Sequence, residues 1–190
     1  MSQPRRFHAA ITGLTALVMH SNAGLLGPKE DKGRDKLQWE REHMMDVTYR
    51  DQQGRLVIPA NAIRKMAIAA CRFVTDKPKG AAFKSFAPLM EAALFVEDDA
   101  VLDVSADKII EFIAVVNLDP SKGPKGPRGP RCRPLVPTPW RGETHVTLID
   151  DAVTPDHLSK IMDYGGRLCG LLDARTIGYG RCDIVVKAVA

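Results

Sequence analysis

Runs of apolar residues along the chain alternate between spacing typical of strands and spacing typical of one helix face. Residues 7–19 are mostly apolar or β-branched and contain no proline, which predicts a buried strand. Residues 62–74 carry apolar side chains at helical spacing, which predicts a helix with Asn61 as its N-cap. The face of this helix expected to be buried comprises Ile63, Met66, Ala67 and Ala70.

Shorter apolar runs predict the remaining strands. They lie at residues 92–96, 100–104, 109–118, 144–149 and 184–189. Thr154 and Pro155 are residue types favoured at an N-cap and at the first helical position. A second helix is therefore expected from there to residue 163, or as far as residue 171.

These elements predict a single α+β domain over residues 1–190. Collapsed to its core, the order is strand, helix, strand, strand, helix, strand. This is the split βαβ arrangement of ferredoxin-like and RNA-recognition-motif (RRM-like) folds, βαββαβ. Two stretches are left as long insertions: a finger-like, mixed-charge excursion over residues 21–55 after the first strand, and a Pro/Gly/Arg-rich segment over residues 119–142 before the second helix.

Composition narrows the class of protein. The longest apolar runs are far shorter than the roughly 20 residues that span a bilayer, so no membrane partner is expected and a cytoplasmic location is predicted. The four cysteines are widely spaced without a C-x-x-C pair, which favours reduced thiols over a zinc site. The net charge of +4 is modest but unevenly distributed.

The uneven charge is greatest in residues 122–133. Five cations stand there with no acidic residue among them: Lys122, Lys125, Arg128, Arg131 and Arg133. Gly-Pro-cation triplets require an extended backbone that cannot join a central ladder, so a basic arm or hairpin tip is expected. Cations spaced in this way neutralise nucleic-acid phosphates. The alternative is a loop kept soluble by its charge.

Trp140 and Arg141 follow the basic arm directly. An aromatic ring beside cations can stack on a base, which makes both residues candidates for nucleic-acid contact. A tryptophan at this position is equally suited to anchor the core. The sequence leaves these two interpretations of Trp140 open.

Two other short segments are candidates for phosphate contacts. Arg64 and Lys65 lie near the start of the first predicted helix, where amide donors and the helix dipole favour an anion. The second segment is a loop formed by Gly178, Tyr179, Gly180 and Arg181. Its glycines permit close approach of the backbone to a phosphate. Exposed helix cations and an ordinary helix-to-strand turn are the alternatives.

Three segments, taken in order, resemble the RAMP superfamily, which supplies the backbone subunits of CRISPR effector complexes. Residues 55–66 (RLVIPANAIRKM) are similar to the RAMP segment in which a short strand ends at proline and the first helix begins. Residues 13–27 resemble the excursion after the first RAMP strand, and residues 178–181 resemble the glycine-rich loop. Ala60 and Asn61 replace the Gly-Ser of the family pattern. The chain is short for a CRISPR backbone subunit and also resembles small phage-encoded proteins of this layout.

The resemblance implies a binding protein that is not an enzyme. It implies a repeating subunit that binds single-stranded RNA, such as a guide RNA, or DNA in second place, without a cofactor. Its partners would be copies of itself in a head-to-tail helical filament and other effector subunits. Residues 24–46 would form a thumb-like finger. The alternatives are a phage-encoded single-stranded DNA-binding or recombination protein and a protein-interaction mimic of a backbone subunit.

Catalytic motifs are absent from the sequence. It contains no Walker P-loop, H-E-x-x-H, G-x-S-x-G or EF-hand pattern, and its five histidines lack metal-ligand spacing. No metal site is therefore predicted. By analogy with RAMP subunits that cut RNA, Asp46 is a weak catalytic candidate, which would need a metal ion.

Overall fold

Two antiparallel sheets and a layer of helices carry the fold in the computed structural model, which describes residues 3–21, 35–76, 78, 84–117, 121 and 125–189. Its elements are β1 (Arg5–Gly13), β2 (Leu17–Val18), α1 (Lys36–Glu42), β3 (Val57–Ile58), α2 (Ala60–Ala70), α3 (Phe86–Ala93), β4 (Leu94–Val96), β5 (Ala100–Leu102), β6 (Ile110–Asn117), β7 (Arg128–Val136), β8 (Arg141–Leu148), α4 (Pro155–Tyr164) and β9 (Cys182–Ala188).

The main sheet has the strand order β3-β5-β8-β1-β9, and β4 also pairs with β8. Alternate residues of β1 point to opposite faces. Phe7, Ala9 and Ile11 are buried in one core with side chains of α2, α3 and α4. His8 and Ala10 point to the other face, which is open. The α+β class is therefore confirmed.

The second sheet has the order β2-β7-β6; β6 and β7 come from the segment before β8, and β2 comes from the start of the chain. The single strand predicted over residues 7–19 is wrong in one respect. The chain ends β1 at Gly13, turns, and enters the second sheet as β2 (Leu17–Val18), which pairs with Val136 and Leu135. One apolar run therefore contributes a strand to each of the two sheets.

Helix α2 confirms its predicted buried face but not its predicted start. Ile63, Met66, Ala67 and Ala70 are all fully buried. The helix begins at Ala60, with Pro59 as its N-cap, so the prediction of Asn61 as N-cap is wrong. The fixed φ of proline suits the residue before a helix as well as its first position.

The basic segment predicted over residues 119–142 lies before the second predicted helix, as expected. It contains β7, and β8 then leads directly into α4. The N-cap of that helix is Thr154 and Pro155 begins it, as expected. Helix α3 was missed: residues Phe86–Ala93 form it, and only Leu94–Val96 of the run predicted as a strand are extended.

The Gly-Pro-cation segment does join a ladder, which corrects the expectation that it could not. Pro130 and Pro134 lie in β7, which pairs with β6 along its length. The Cys132 amide, on the same side of the strand as both prolines, donates to Glu40 Oε2 at 2.8 Å, and Pro134 O accepts from the amide of Met19. These positions thus face away from β6, so the prolines remove no donor from that ladder.

The first insertion packs on the second sheet in its described part. Residues 35–55 form α1, a short 3₁₀ turn at Met44–Val47 and a loop back to β3. Residues 22–34 of the predicted finger lie outside the part of the chain that the structure describes. The four cysteines are free and buried. No helix among the described residues is both long enough and apolar enough to span a membrane.

Candidate nucleic-acid interface

A groove of about 470 Å³ lies where α2, the loop before β9 and the two ends of the first insertion meet. We call it the Asp173 groove; its lining side chains include His20, Tyr49, Asn61, Lys65, Asp173 and Arg175. Three segments far apart in sequence supply them. Only Lys65 of these was predicted as a site residue.

The start of α2 places Lys65 in the Asp173 groove and turns Arg64 away from it. The Ala60 amide, at the helix N-terminus, is taken by Asp99 Oδ1 at 2.8 Å. Arg64 donates to the carbonyl oxygens of Leu94, at 3.1 Å, and of Glu91, at the C-terminal end of α3. Arg64 therefore holds two helices together, and the prediction of a phosphate contact at this residue has no support in its geometry.

Asp173 is the carboxylate around which the groove is built. It forms a close ion pair with Arg133 of β7, and its Oδ2 lies 3.9 Å from His20 Nδ1. Its neighbours Leu172 and Ala174 have φ of 58° and 55°, in the left-handed region that non-glycine residues avoid. Each such residue costs on the order of 1 kcal/mol, and strain of this kind clusters at functional sites.

Basic side chains beside the groove act on its histidine. Burial first, and then the positive charges of Arg133 and Arg131, lower the pKa of His20, while Glu40 opposes this shift. Burial, followed by the charge of Arg131, also lowers the pKa of Arg133, which as an arginine remains charged. Four cations, Lys65, Arg131, Arg133 and Arg175, lie in or beside the groove, against the carboxylates of Asp173 and Glu40.

The glycine-rich loop follows Arg175, which lines the groove. Gly178 and Gly180 have φ of +95° and +70°, and a Cβ on Gly180 would lie 2.1 Å from the Leu171 carbonyl oxygen. The Tyr179 ring packs against Phe112 with centroids 4.8 Å apart. Arg181 donates to the carbonyl oxygen of Arg175 at 3.1 Å. The loop is thus bonded to the backbone of Arg175, whose residue lines the groove, a contact that the glycine motif alone did not indicate.

Trp140 is a core residue, which corrects its prediction as a base-stacking contact. Its side chain is fully buried and its Nε1 donates to Thr15 O at 2.8 Å. The ring lies over Gly13, where a Cβ would be 2.2 Å away. A ring enclosed in this way cannot stack on a base.

The cations of the basic arm divide into two groups. Arg131 pairs with the buried Glu40 of α1, and Arg133 pairs with Asp173. The cations of the arm have no acidic neighbours in sequence, but in the folded chain two of them are paired with carboxylates from other segments. Lys125 and Arg128 are exposed near the tip of the β6–β7 hairpin. Lys122 lies outside the described residues.

Two further predicted residues lie away from the groove. Arg141 is exposed at the start of β8 and lines a different groove on the open face of the main sheet. Asp46 is exposed in the 3₁₀ turn after α1. In the described part of the chain, it belongs to no group of three side chains able to hold a metal ion.

Five polar side chains of the groove were not predicted as site residues. They are His20, Tyr49, Asn61, Asp173 and Arg175. Arg175 precedes the glycine-rich loop by three residues, and extending that motif upstream would have found it. His20 and Asp173 meet only through the crossing of β2 and the loop before β9, where Asp173 N donates to Val18 O at 3.1 Å. Their sequence positions contain no signal of this contact.

No protein-family model and no curated protein match the chain. Solved structures do match it, among them the following two. A chain in the cryo-EM structure of the type III-B Cmr-beta bound to cognate target RNA matches over 98% of this chain, with a TM-score of 0.60 and 12% identity. Crystalline Cmr6 from Pyrococcus furiosus matches over 96%, with a TM-score of 0.50 and 15% identity.

The chain has a RAMP-like fold. Both neighbours are RAMP-family subunits of CRISPR type III systems. The chain spans 99% of the length of Cmr6 but only 61% of the matched Cmr-beta chain. The expected resemblance to the superfamily is thus confirmed at the level of the fold.

Proposed function

We propose that this chain binds single-stranded RNA in the Asp173 groove and acts as a subunit of a CRISPR-type effector complex. One observation carries the proposal. Basic side chains from β7, α2 and the loop before β9 converge on one groove, in a chain whose fold resembles that of a subunit of an RNA-bound complex. Each segment alone is an ordinary exposed surface, whereas their convergence makes a site for a polyanion.

Lys65 and Arg175 contact phosphates in this proposal. Both line the groove, and phosphate contacts position a nucleic acid without reading its sequence. Arg133 contributes in a second way. Its guanidinium is held beside the groove by Asp173, so a phosphate that approaches finds a cation already placed. The amide of Asn61 is suited to a ribose 2′-hydroxyl, the group that distinguishes RNA from DNA.

The exposed tip of the β6–β7 hairpin extends the same surface. Lys125 and Arg128 add phosphate contacts there, and we assign Lys122 the same role by its place in the sequence. The loop of residues 178–181 supports the groove rather than binding RNA directly, because Tyr179 packs on Phe112 and Gly180 is closed off by Leu171.

The test is equilibrium binding of labelled single-stranded RNA by fluorescence anisotropy over a series of salt concentrations. The double variant Lys65→Glu/Arg175→Glu should lose at least tenfold in affinity. Its salt slope should fall by about 1.4, since each single-strand phosphate contact contributes roughly 0.7. Lys84→Glu/Lys108→Glu makes the same charge change at exposed positions outside the groove and should bind nearly as wild type. Equal losses of RNA affinity in both double variants would contradict the proposal. Parallel measurements with DNA of the same sequence test the preference for RNA.

We infer that the main sheet is a ferredoxin-like core. Taking β1, the β4–β5 region, β8 and β9 as its four strands, the observed order supports the arrangement 2-3-1-4 with α2 and α4 as the crossover helices. The other elements are then insertions. Deleting residues 110–136 and joining the ends with a short linker should leave a sheet that still folds, as judged by circular dichroism.

We further propose that the subunit repeats head to tail along RNA. Support comes from two edge strands, β6 of the second sheet and β9 of the main sheet. Each carries exposed apolar residues, such as Val115 and Val185. Exposed edges of this kind invite pairing between chains, and a heterologous contact that does not close produces a filament. The mass of the complex in analytical ultracentrifugation should then rise in steps with RNA length.

A further inference from the structure

The open face of the main sheet carries a second group of polar side chains, away from the Asp173 groove. Glu97, Asp98 and His145 approach one another there, and the ligand atoms that they offer all lie within 4.8 Å of one another. Asp98 and His145 also line a groove of about 610 Å³ on this face. Glu97 and Asp98 follow β4, whereas His145 lies within β8. Only the pairing of these two segments brings the three side chains together.

An irregularity between β4 and β5 explains how two consecutive carboxylates reach the same histidine. Strand β4 ends its pairing with β8 at Val146, and β5 resumes that pairing at Glu143. Residues 97–100 therefore lie opposite residues 144–145, four residues against two, which makes a β-bulge. In a regular strand, consecutive side chains point to opposite faces of the sheet. The bulge interrupts this alternation, so both carboxylates come close to one imidazole.

Backbone contacts attach the bulge to β8 at two adjacent residues. The Glu97 amide donates to the His145 carbonyl oxygen at 2.9 Å. The hydroxyl of Thr144, a buried residue, donates to the Asp98 carbonyl oxygen at 2.6 Å. Side chains on a backbone held in this way close on an ion by rotating about their own bonds, without moving the sheet. The pairing of the strands therefore positions the site.

Hydrogen bonds also fix the orientation of the Glu97 carboxylate. It accepts from Arg6 Nη2 and from Thr147 Oγ1, both at 2.6 Å. Carboxylates that bind metal ions in proteins are regularly oriented by hydrogen bonds from neighbouring groups of this kind. The charge of Arg6 offsets one of the two carboxylates, and the second remains to attract a cation. The surroundings of Glu97 thus resemble those of a metal ligand.

We propose that Glu97, Asp98 and His145 bind a Zn²⁺ ion. One imidazole nitrogen with two carboxylate oxygens suits Zn²⁺, whereas Mg²⁺ and Ca²⁺ prefer oxygen ligands alone. Three protein ligands leave the fourth tetrahedral position to a water molecule. Bonds of about 2.1 Å to zinc place tetrahedral ligand atoms about 3.4 Å apart, so atoms now separated by as much as 4.8 Å move closer together on binding.

The bound ion ties the bulge to β8. Asp99, the next residue of the bulge, accepts the Ala60 amide at the start of α2 through its Oδ1. Metal binding therefore stabilises a junction between the main sheet and this helix. The inference goes beyond the proposed RNA binding, because none of the three ligands lines the Asp173 groove. It also differs from the sequence-based expectation of no metal site, since the ligand set forms only through strand pairing.

Isothermal titration calorimetry of ZnCl₂ into the full chain tests the site, after treatment with EDTA and removal of the chelator. Wild type should bind a single Zn²⁺ ion per chain and retain it in a large excess of Mg²⁺. His145→Gln and Asp98→Asn should each weaken the affinity by about tenfold or more, since loss of even a group that orients a ligand has an effect of this size. The matched control is His8→Gln. It changes the cross-strand partner of His145 on β1 and should bind Zn²⁺ nearly as wild type.

Substitution of Co²⁺ for Zn²⁺ identifies the type of ligand without relying on the heat of binding. Wild type should show the visible absorption of Co²⁺ bound by nitrogen and oxygen atoms. It should lack the near-ultraviolet band that thiolate ligands produce, because the four cysteines are buried and take no part in the site. A thiolate band would place the ion on the cysteines and overturn the proposal.

Four calorimetric results would also overturn it. They are no binding of Zn²⁺ by wild type, unchanged affinity in His145→Gln, displacement of Zn²⁺ by Mg²⁺, and an equal loss of affinity in His8→Gln and His145→Gln. Matching thermal melting curves in EDTA show that the variants are folded. Anisotropy with RNA in EDTA separates the two proposals. A chain that binds RNA but not Zn²⁺ overturns the metal site alone, whereas one that binds Zn²⁺ but not RNA overturns the proposed function alone.

Discussion

Trp140 lies so close to Gly13 that a methyl group on that glycine would be 2.2 Å from the indole ring. The glycine ends β1, and Trp140 immediately precedes β8, which pairs with β1 along its length. The amide of Gly13 donates to the carbonyl oxygen of Trp140 at 2.8 Å. The contact therefore fixes the point at which the chain leaves the main sheet for the second sheet.

Gly13→Ala should destabilise the fold, because the added methyl group must displace a ring that has no free space around it. The expected loss is about 1–3 kcal/mol in the free energy of unfolding. Urea unfolding followed by tryptophan fluorescence measures it. The neighbouring exposed residue provides a control: Thr12→Ala should change the free energy by less than about 0.5 kcal/mol. A Gly13 variant as stable as wild type would contradict the packing described here.

Glu40→Gln should weaken the attachment of α1 to the second sheet. The Glu40 carboxylate is buried, accepts the Cys132 amide and pairs with Arg131. Glutamine keeps an acceptor for the amide but leaves the arginine charge without its partner. Removing one member of a buried ion pair costs about 3 kcal/mol. Glu42→Gln makes the same charge change on the exposed part of α1 and should cost little. Equal chemical unfolding midpoints for the two variants would refute the role of Glu40.

Asp173→Asn should increase affinity for RNA. The carboxylate stands in the groove proposed to hold phosphates, so its removal takes away a repulsion of about 0.8 kcal/mol at a separation near 5 Å in water. The dissociation constant should fall about fourfold at low salt, and the effect should shrink as salt is added. Asp163→Asn removes a carboxylate from the end of α4, outside the groove, and should leave the dissociation constant unchanged. Weaker binding by Asp173→Asn would show that the ion pair with Arg133 matters more than the repulsion.

The buried face of α2 was predictable because it depends on local periodicity alone. The strand predictions were wrong where tertiary contacts determine the secondary structure. Residues 86–93 carry a pattern that reads as strand or helix, and packing of Phe86, Leu89 and Met90 into the core selects the helix. Pro130 and Pro134 argued against a ladder for β7. The direction of each N–H in a strand depends on register, which the sequence does not display.

The candidate site was predictable in kind but not in place. Positive charge in residues 119–142 was evident, yet its partners Glu40 and Asp173 lie 91 and 40 residues from Arg131 and Arg133. Whether a cation is available for a phosphate depends on such distant carboxylates. Contacts with residues distant in sequence also decide which predicted site residues are accessible. Trp140 is enclosed by the β1–β2 turn, whereas Lys65 lines a groove.

His20 should make the stability of the fold depend on pH. Burial, followed by the charge of Arg133, lowers its pKa in the folded state, so the unfolded chain binds a proton more readily than the folded chain does. Stability contributed by neutral His20 is therefore present above its ordinary pKa of 6.5 and is lost as pH falls below that value. Unfolding midpoints measured between about pH 7.5 and pH 5 should decline less steeply in His20→Gln than in wild type. A His20 variant with an unchanged slope would show that protonation of this ring does not oppose folding.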